Sequence, residues 1–213
     1  MTGIAGLVLA AGTSSRMGTP KQLLPIGRST LLDHVLAAAL QSNLERVILV
    51  LGFMAQAIMK GLKSNLDHPK LEVVQNQDYA QGISTSLIAG LSAVEKDADG
   101  VMVILGDMPR VSSGLIDFLL QSYEQSRFSL AALTSGGKRS HPVIIGRHFF
   151  SSLLELRGDE GAKALFLEHA DQVLLVEPFE EYDDRDIDTR EDYMALTRDL
   201  KGRNLLDPKG ALL

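Results

Sequence analysis

The chain has 213 residues, of which 45% are hydrophobic and 23% are charged, and this composition is typical of one soluble globular domain. The net charge of −6 argues against broad binding to nucleic acid or to an anionic membrane, and the absence of cysteine excludes disulfides, thiolate metal sites and cysteine nucleophiles. The N-terminal apolar run is short and follows no basic residues, so neither a signal peptide nor a membrane span is predicted, and we expect a cytoplasmic protein. We expect one domain over residues 1–200 and a C-terminal tail over residues 201–213.

Apolar runs alternate with amphipathic stretches along the chain, which predicts repeated βα units on a mostly parallel sheet flanked by helices, an α/β fold. The predicted strands are residues 4–11, 47–51, 71–75, 101–105, 130–133, 143–145 and 173–176. The predicted helices are residues 31–40, 55–64, 86–94, 113–125, 147–154, 161–169 and 190–200. Thr30 with Asp33, and Thr189 with Asp192, are typical of helix starts. Residues 135–142 are expected to form a basic loop.

The first predicted strand leads into a stretch of small and basic residues, here called the phosphate loop (residues 12–21). Glycine lets a ligand approach the main chain, consecutive small residues expose N–H groups that bind anions, and two cations add charge-assisted hydrogen bonds to a polyphosphate. The spacing matches neither the P-loop motif nor the dinucleotide motif. A purely structural turn would account for the glycine but not for both cations, so a triphosphate site is predicted. Its candidate residues are Gly12, Thr13, Ser14, Ser15, Arg16 and Lys21.

Three carboxylates follow predicted strands at the edge where ligands bind in open α/β sheets. Asp107 comes directly after a central strand, and Asp186 and Asp188 come after the last one. Mg²⁺ prefers oxygen donors and usually takes one or two carboxylates together with substrate phosphates, so these residues are candidate metal ligands. Alternatively, Asp107 opens a β-turn, and Asp186 and Asp188 are acidic loop residues or helix caps.

Several motifs resemble the MobA-like nucleotidyltransferase family, in particular its molybdenum cofactor cytidylyltransferase branch. The phosphate loop and its flanks resemble the family signature L-A-A-G-x-[SG]-x-R-M-G-x-x-K-x-L-L-P, and the residues that match it are Leu9 to Gly12, Ser14, Arg16 to Gly18, Lys21 and Leu23 to Pro25. Residues 106–109 resemble its G-D-M-P and residues 186–193 its D-I-D-T-x-E-D-Y. Residues 76–87, 141–143 and 158–163 resemble segments of the cytidylyltransferase branch. The match covers residues 4–196 and implies a single-domain, Rossmann-like fold of the nucleotide-diphospho-sugar-transferase type.

The resemblance implies transfer of CMP from CTP to the terminal phosphate of a molybdopterin-type cofactor, with release of pyrophosphate. Arg16, Lys21 and Asp107 would be catalytic, with the two cations on the β- and γ-phosphates, and Mg²⁺ would be held by Asp107 and by Asp188 rather than Asp186. The nucleotide would contact Leu9, Ala10, Ala11, Gly12, Thr13, Ser14, Ser15, Arg16, Lys21, Gly82, Ser84 and Asp107. The acceptor would contact Lys138, His141, Pro142 and Asp159. A molybdoenzyme that receives the product is an implied partner.

Some features leave alternatives open. Arg139-Ser140 stand where the branch commonly has Pro-Gly, and Lys163 replaces an arginine, so the acceptor is the least determined part. Lys138 and Arg139 would either bind the acceptor phosphate or form a solvent-exposed basic pair. His141 would either contact the acceptor or order the turn before Pro142. Instead of binding a ligand, Ser84 and Ser86 would cap a helix, with Gly82 required by the turn before it. Family members with Leu-Ala-Ala-Gly at residues 9–12 tend towards pyrimidines, and the Ala11 methyl would narrow the base pocket, which favours CTP. The rival functions are transfer to another phosphorylated acceptor, such as methylerythritol phosphate or a sugar phosphate, and a non-catalytic chaperone for the molybdenum cofactor.

Overall fold

A computed structural model describes residues 3–14, 18–159, 161–179 and 182–202 and, within these ranges, contains a seven-stranded sheet with helices on both faces. The strands are β1 (Ile4–Ala10), β2 (Pro25–Ile26), β3 (Ser29–Thr30), β4 (Arg46–Leu51), β5 (Leu71–Gln75), β6 (Gly100–Leu105), β7 (Leu130–Ser135), β8 (Lys138–Gly146) and β9 (Val173–Val176). The helices are α1 (Leu31–Gln41), α2 (Ala55–Gly61), α3 (Ile83–Ser92), α4 (Ser113–Glu124), α5 (Phe150–Leu154), α6 (Lys163–Glu168) and α7 (Arg190–Gly202).

The main sheet has the strand order β5-β4-β1-β6-β8-β7-β9, and β2 and β3 form a separate small pair. β1 pairs in parallel with β4 and β6, β4 with β5, and β7 with β9, whereas β8 is antiparallel to both of its neighbours. This arrangement confirms the predicted α/β fold with a mostly parallel sheet. Because β1 and β6 are adjacent and parallel, their carboxyl ends lie side by side.

The prediction of a basic loop over residues 135–142 is wrong, because these residues form the turn of a β-hairpin and the first half of β8. Gly136 and Gly137 have φ values of 55° and 74°, the paired positive angles that a tight two-residue hairpin turn requires. Ser135 then pairs with Lys138 and Thr134 with Arg139. The register shifts between Ala132 and Thr134, so that Pro142, which has no N–H to donate, lies at a bulge rather than in a regular ladder.

The central strands are apolar throughout because both faces of the sheet are covered. In β1, Val8 and Ala10 face the cluster that α1, α2 and α4 complete, while Leu7 and Leu9 face the cluster that α3, α5 and α6 complete. This burial on both sides is the reason that parallel strands are continuous hydrophobic runs rather than alternating ones. A third, smaller cluster joins Leu196 and Leu200 of α7 to Ile26 of β2, Leu31 of α1 and Ile187.

Some element boundaries differ from those predicted. α3 begins at Ile83 rather than at residue 86, so Ser84 and Ser86 lie inside the helix, and the alternative that they cap it is wrong. The N-cap is Gly82, whose φ of 109° confirms that the turn needs glycine there. α2 ends at Gly61, and Arg147–Phe149 form a 3-10 turn before α5. α7 extends to Gly202, and residues 203–213 of the predicted tail lie outside the described residues.

Among the described residues, no helix combines the length and the apolar character needed to span a bilayer.

The predicted start of α1 is confirmed as a capping box that also ties in a distant segment. The Asp33 carboxylate accepts hydrogen bonds from the backbone N–H and the hydroxyl of Thr30, and the Thr30 hydroxyl accepts one from Asp33 N–H. The same carboxylate accepts hydrogen bonds from Lys63 N–H, Ser64 N–H and the Ser64 hydroxyl. Burial alone would raise the pKa of Asp33, but the hydrogen bonds from Ser64 and Thr30 outweigh it and lower the pKa.

We expect Asp33→Asn to lower the free energy of unfolding by about 2 kcal/mol at pH 7, because an amide nitrogen would face these donors. The folded-state pKa lies below the unfolded value of about 3.9, so the contribution of Asp33 is present above that pH and is lost as the pH falls through the folded-state value. Urea unfolding should therefore give a difference between wild type and variant that shrinks below about pH 4. Asp67→Asn, at an exposed position, is the control; an equal loss in both variants would contradict the role of Asp33.

Candidate active site

A cleft of about 390 Å³ opens at the carboxyl ends of β1 and β6. Leu9 and Leu105 are paired in register at these ends, so the segments that follow them leave the sheet together. Most residues predicted to bind a nucleotide line the cleft: Leu9, Ala10, Ala11, Gly12, Thr13, Lys21, Gly82 and Asp107. The topology of the sheet thus brings the phosphate loop and the Asp107 turn to one place.

The phosphate loop is held by Gln22, a residue that sequence reasoning missed. Gln22 is only 3% exposed, and its amide nitrogen donates hydrogen bonds to the carbonyl oxygens of Ala10, at 3.0 Å, and Gly12, at 3.3 Å. Ser14, at a φ of 51°, donates its hydroxyl to the Gln22 amide oxygen at 3.2 Å and accepts a hydrogen bond from Lys21 N–H at 3.0 Å. The only signal in the sequence is that a neutral polar residue stands between Lys21 and the apolar run that begins at Leu23. Ser15 and Arg16, both predicted to bind the nucleotide, lie outside the described residues.

Lys21 connects two of the predicted carboxylates. Its ammonium nitrogen lies 2.7 Å from Asp107 Oδ2 and 2.7 Å from Asp188 Oδ1, and its side chain is 14% exposed. Burial alone would lower the pKa of Lys21, but Asp107 and Asp188 outweigh this effect and raise the pKa above its usual value. The ion pairs therefore keep Lys21 charged in a largely water-excluded position.

Asp186 and Asp188 reach Asp107 because Ile187 anchors the segment between them. Ile187 is 4% exposed, and its N–H donates a hydrogen bond to the Asp107 carbonyl at 3.0 Å. In an extended chain alternate side chains point the same way, so two aspartates that flank a buried residue both face away from the core. Thr189 and Asp192 form the predicted capping box directly afterwards, which aligns this segment with the start of α7.

The three carboxylates form a candidate metal site. One oxygen from each of Asp107, Asp186 and Asp188 lies within 4.8 Å of the others. Burial raises the pKa of Asp186, and Asp107 and Asp188 raise it further, while Lys21 opposes them. Asp107 Oδ1 is buried and has no hydrogen-bond partner among the described residues, as expected of an atom that serves a ligand. Asp188 was predicted as the second ligand in preference to Asp186, and the structure brings both to Asp107.

A network of four charged side chains holds residues 183–188, here called the acidic segment, against α7. Arg110, which follows the Asp107 turn, pairs with Asp183 at 3.0 Å and with Asp199 of α7 at 2.7 Å. Arg185 pairs with the same two aspartates, at 2.6 Å and 3.2 Å. This network links the Asp107 turn, the acidic segment and α7 without using any of the three clustered carboxylates.

The opposite wall of the cleft is the first turn of α3. At Gly82 a Cβ atom would lie 2.3 Å from the carbonyl carbon of Gly158, so only glycine fits this approach. Ser84 N–H donates to the Gly158 carbonyl, but the Ser84 side chain, 1% exposed, is packed within the helix. Ser86 is the α3 serine that lines the cleft. Asn76 donates its amide N–H groups to the hydroxyls of Thr85 and Ser86, at 2.9 and 3.0 Å, and so joins the end of β5 to α3.

A second recess of about 140 Å³ adjoins the cleft and shares part of its wall. The shared residues are Leu9, Ile83, Leu105 and Asp159. Of the residues predicted to bind the acceptor, His141 and Asp159 line the recess, whereas Lys138 is exposed beside the hairpin turn and Pro142 is buried. Arg139 and Lys163 complete its polar wall. Burial and the nearby Arg139 charge lower the pKa of His141, against opposing effects of the Val103 backbone and Asp107.

The family model of the MobA-like NTP transferase domain matches residues 6–173, which include the phosphate loop, Asp107 and both cavities' β-strand walls. The chain belongs to this family. The resemblance identified from the sequence motifs is therefore confirmed, and the protein is a nucleotidyltransferase of the MobA-like family.

Known members of similar sequence carry different activities in their names. Nicotine blue oxidoreductase of Paenarthrobacter nicotinovorans is 30% identical over 200 residues, which cover 91% of this chain and 96% of that protein. Molybdenum cofactor cytidylyltransferase of Escherichia coli K12 is 30% identical over 147 residues, or 69% of this chain and 72% of that protein. The structure of Rv0371c of Mycobacterium tuberculosis in complex with manganese superposes with a TM-score of 0.77 at 29% identity, covering 92% of this chain and 98% of that one.

In this MobA-like protein, we expect Gln22→Glu to loosen the phosphate loop. A carboxylate cannot donate to the Ala10 and Gly12 carbonyls, and two acceptors would then face each other in a buried position. Hydrogen–deuterium exchange should speed up at least about tenfold in peptides that cover residues 9–24, without a comparable change elsewhere. Gln121→Glu introduces the same charge at an exposed position of α4 and is the control. Unchanged exchange in the loop of Gln22→Glu would show that Gln22 does not hold it.

Proposed function

We propose that the protein transfers CMP from CTP to the terminal phosphate of a molybdopterin-type cofactor and releases pyrophosphate. The observation that carries this proposal is the Lys21–Asp107–Asp188 cluster, of which Lys21 and Asp107 line the cleft together with other residues of the phosphate loop. A cation and paired carboxylates beside a backbone loop are what a nucleotide triphosphate and its metal require. The 30% identity to a molybdenum cofactor cytidylyltransferase supports the choice of nucleotide and acceptor.

Asp107, Asp186 and Asp188 fit a hard divalent cation. Their oxygen-only donor set is what Mg²⁺ and Mn²⁺ prefer, and the unpartnered Asp107 Oδ1 is available to it. When bound, such a cation would neutralise charge on the phosphates that react. We infer that Mg²⁺ is used, and the manganese complex of the 29% identical protein is consistent with a divalent ion. With the carboxylates so occupied, the Lys21 ammonium is left for the phosphates of the nucleotide.

The proposed reaction needs no general base from the chain. A phosphomonoester with a second pKa of about 6 is largely dianionic at neutral pH, so its oxygen attacks without losing a proton. This requirement agrees with a cleft whose titratable lining residues are Lys21, Tyr79, Asp107 and Asp159 among those described, without a paired serine and histidine. The chain then contributes binding, orientation and charge.

We expect pyrophosphate release with Mg²⁺ and molybdenum-loaded molybdopterin to be well above background with CTP and low with GTP, UTP and ATP. Asp107→Asn and Asp188→Asn should each lower kcat by at least about a hundredfold, because each removes charge from the site that faces the phosphates. Asp171→Asn, at an exposed position distant in sequence, is the matched control.

The remaining outcomes separate the rivals. Release with a sugar phosphate or methylerythritol phosphate, but not with molybdopterin, would overturn the acceptor and keep nucleotidyl transfer. If the protein is a chaperone, the wild type and the Asp107→Asn variant should deliver the cofactor to a molybdoenzyme equally well. The wild type should then release no pyrophosphate.

Ala11 is the residue we propose to favour a pyrimidine. It lines the cleft, is 5% exposed, and is held by a hydrogen bond from Phe53 N–H to its carbonyl at 3.2 Å. The Ala11 methyl packs closely against Gly52, because a Cβ atom at position 52 would lie only 2.9 Å from the Ala11 Cβ. Ala11 therefore has little room to move away from a bound base.

We therefore expect Ala11→Gly to raise kcat/KM for GTP relative to CTP by about tenfold, since the difference of one methyl group in a tight pocket is worth about 1–3 kcal/mol. Parallel pyrophosphate assays with both nucleotides measure this ratio. Ala80→Gly, on another wall of the cleft, is the comparison, and an equal shift in both variants would contradict a specific role for Ala11.

A further inference from the structure

Lys138 and Arg139 are adjacent in sequence but have different surroundings. Lys138 is exposed beside the hairpin turn, whereas Arg139 is half-buried and lines the second recess with His141 and Lys163. The guanidinium of Arg139 lies over the ring of Phe166 in α6, 4.6 Å from its centroid. This cation–π contact restrains the position of the guanidinium next to α6.

Arg139 has no carboxylate within ion-pair distance in the part of the chain that the structure describes. Burial is the cause that lowers its pKa. A half-buried cation without an ion-pair partner loses hydration, and the Phe166 ring recovers only part of that free energy. An arginine kept in this position is suited to an anion that arrives with a ligand.

The recess has both polar and apolar lining residues. Its polar residues are Arg139, His141, Lys163 and the carboxylate Asp159, and its apolar residues include Leu9, Leu87, Val103, Leu105 and Val143. His141 Nδ1 is buried without a hydrogen-bond partner among the described residues. Besides the Arg139 guanidinium, it is a further polar group in the recess that a ligand could contact. Leu105 directly precedes the Asp107 turn, and Leu9 and Asp159 are common to both cavities, so a ligand here lies next to the proposed reaction centre.

We propose that Arg139 binds the phosphate of the acceptor and thereby selects phosphomonoesters whose organic part packs on the apolar lining residues of the recess. This assignment rests on the proposed function and adds to it a residue and a substrate class. In the step it serves, an oxygen of the acceptor phosphate forms a bond to the α-phosphorus of the nucleotide. The bond from that phosphorus to the bridging oxygen breaks, and its electron pair leaves with pyrophosphate. Arg139 would hold the attacking phosphate, because guanidinium binds phosphate through two parallel hydrogen bonds.

The phosphates of the nucleotide are the other possible source of the anion. The nucleotide phosphates and the acceptor phosphate are expected at different positions. The phosphate loop, with Lys21, lines the larger cleft, whereas Arg139 lines the recess and not the cleft. Kinetic constants for the two substrates therefore distinguish the sources. The variants are Arg139→Met, Arg139→Lys, which keeps the charge without the planar fork, and Arg127→Met, the same change at an exposed position after α4.

Two measurements on the full chain test the proposal. In the pyrophosphate assay, Arg139→Met should raise KM for molybdopterin at least about tenfold and leave KM for CTP within about twofold, with Arg139→Lys between it and wild type. In a phosphorus NMR titration with Mg²⁺ and excess pyrophosphate to occupy the phosphate loop, binding of phenyl phosphate should weaken by a similar factor in Arg139→Met and stay unchanged in Arg127→Met. Thermal unfolding of each variant verifies that it is folded.

The outcomes separate the two proposals. Loss of phenyl phosphate binding in Arg139→Met supports the role of Arg139 even where the wild type shows no turnover with molybdopterin, a result that would overturn only the proposed acceptor. Equal phenyl phosphate binding by wild type and by folded Arg139→Met overturns the role of Arg139. So does a rise in KM for CTP as large as that for molybdopterin.

Discussion

The clustering of three carboxylates at the end of β6 is the constraint on which the rest of the site depends. Oxygens of Asp107, Asp186 and Asp188 lie within 4.8 Å of one another, a distance at which two unit charges repel by about 3.5 kcal/mol at an effective dielectric constant of about 20. The Lys21 ammonium, 2.7 Å from two of them, offsets this repulsion. Lys21 reaches the cluster because β1 and β6 are adjacent and parallel, which brings the segments after both strands to the same edge.

Uncharged contacts hold the charged groups in place. Gln22 holds the phosphate loop through two carbonyls and the Ser14 hydroxyl, and Ile187 holds the acidic segment through its buried side chain and its hydrogen bond to Asp107. Hydrogen bonds between uncharged groups and apolar contacts are much less sensitive to salt than exposed ion pairs are. The scaffold is therefore held by contacts other than the ion pairs that it presents.

The sequence predicts the parts of this protein that depend on local pattern. The positions of the strands along the chain follow from alternating apolar and amphipathic segments, and the helix starts at Thr30 and Thr189 follow from capping residues. The position of Asp107 follows from its place directly after a buried strand. The role of Gln22 could not be predicted, because its side-chain amide binds the carbonyls of Gly12 and Ala10, which lie ten and twelve residues earlier in the chain. Only the folded loop brings these groups together. The hairpin at Gly136-Gly137 was mistaken for a loop because charged residues and Pro142 are usual in loops, whereas strand pairing here tolerates them at a bulge.

The reversal of β8 explains how the second recess is built. A parallel strand next to β6 would contribute a loop at this edge, because its carboxyl end would lie there. The antiparallel β8 instead begins at this edge, so that Arg139 and His141 are held within a strand that pairs with β7 and leads into the β6 pairing. Side chains on paired strands are positioned more accurately than those on loops, and the ring of Phe166 restrains Arg139 further. Within the described residues, the antiparallel β8 thus places the cation Arg139 on a paired strand that lines the recess beside the cleft.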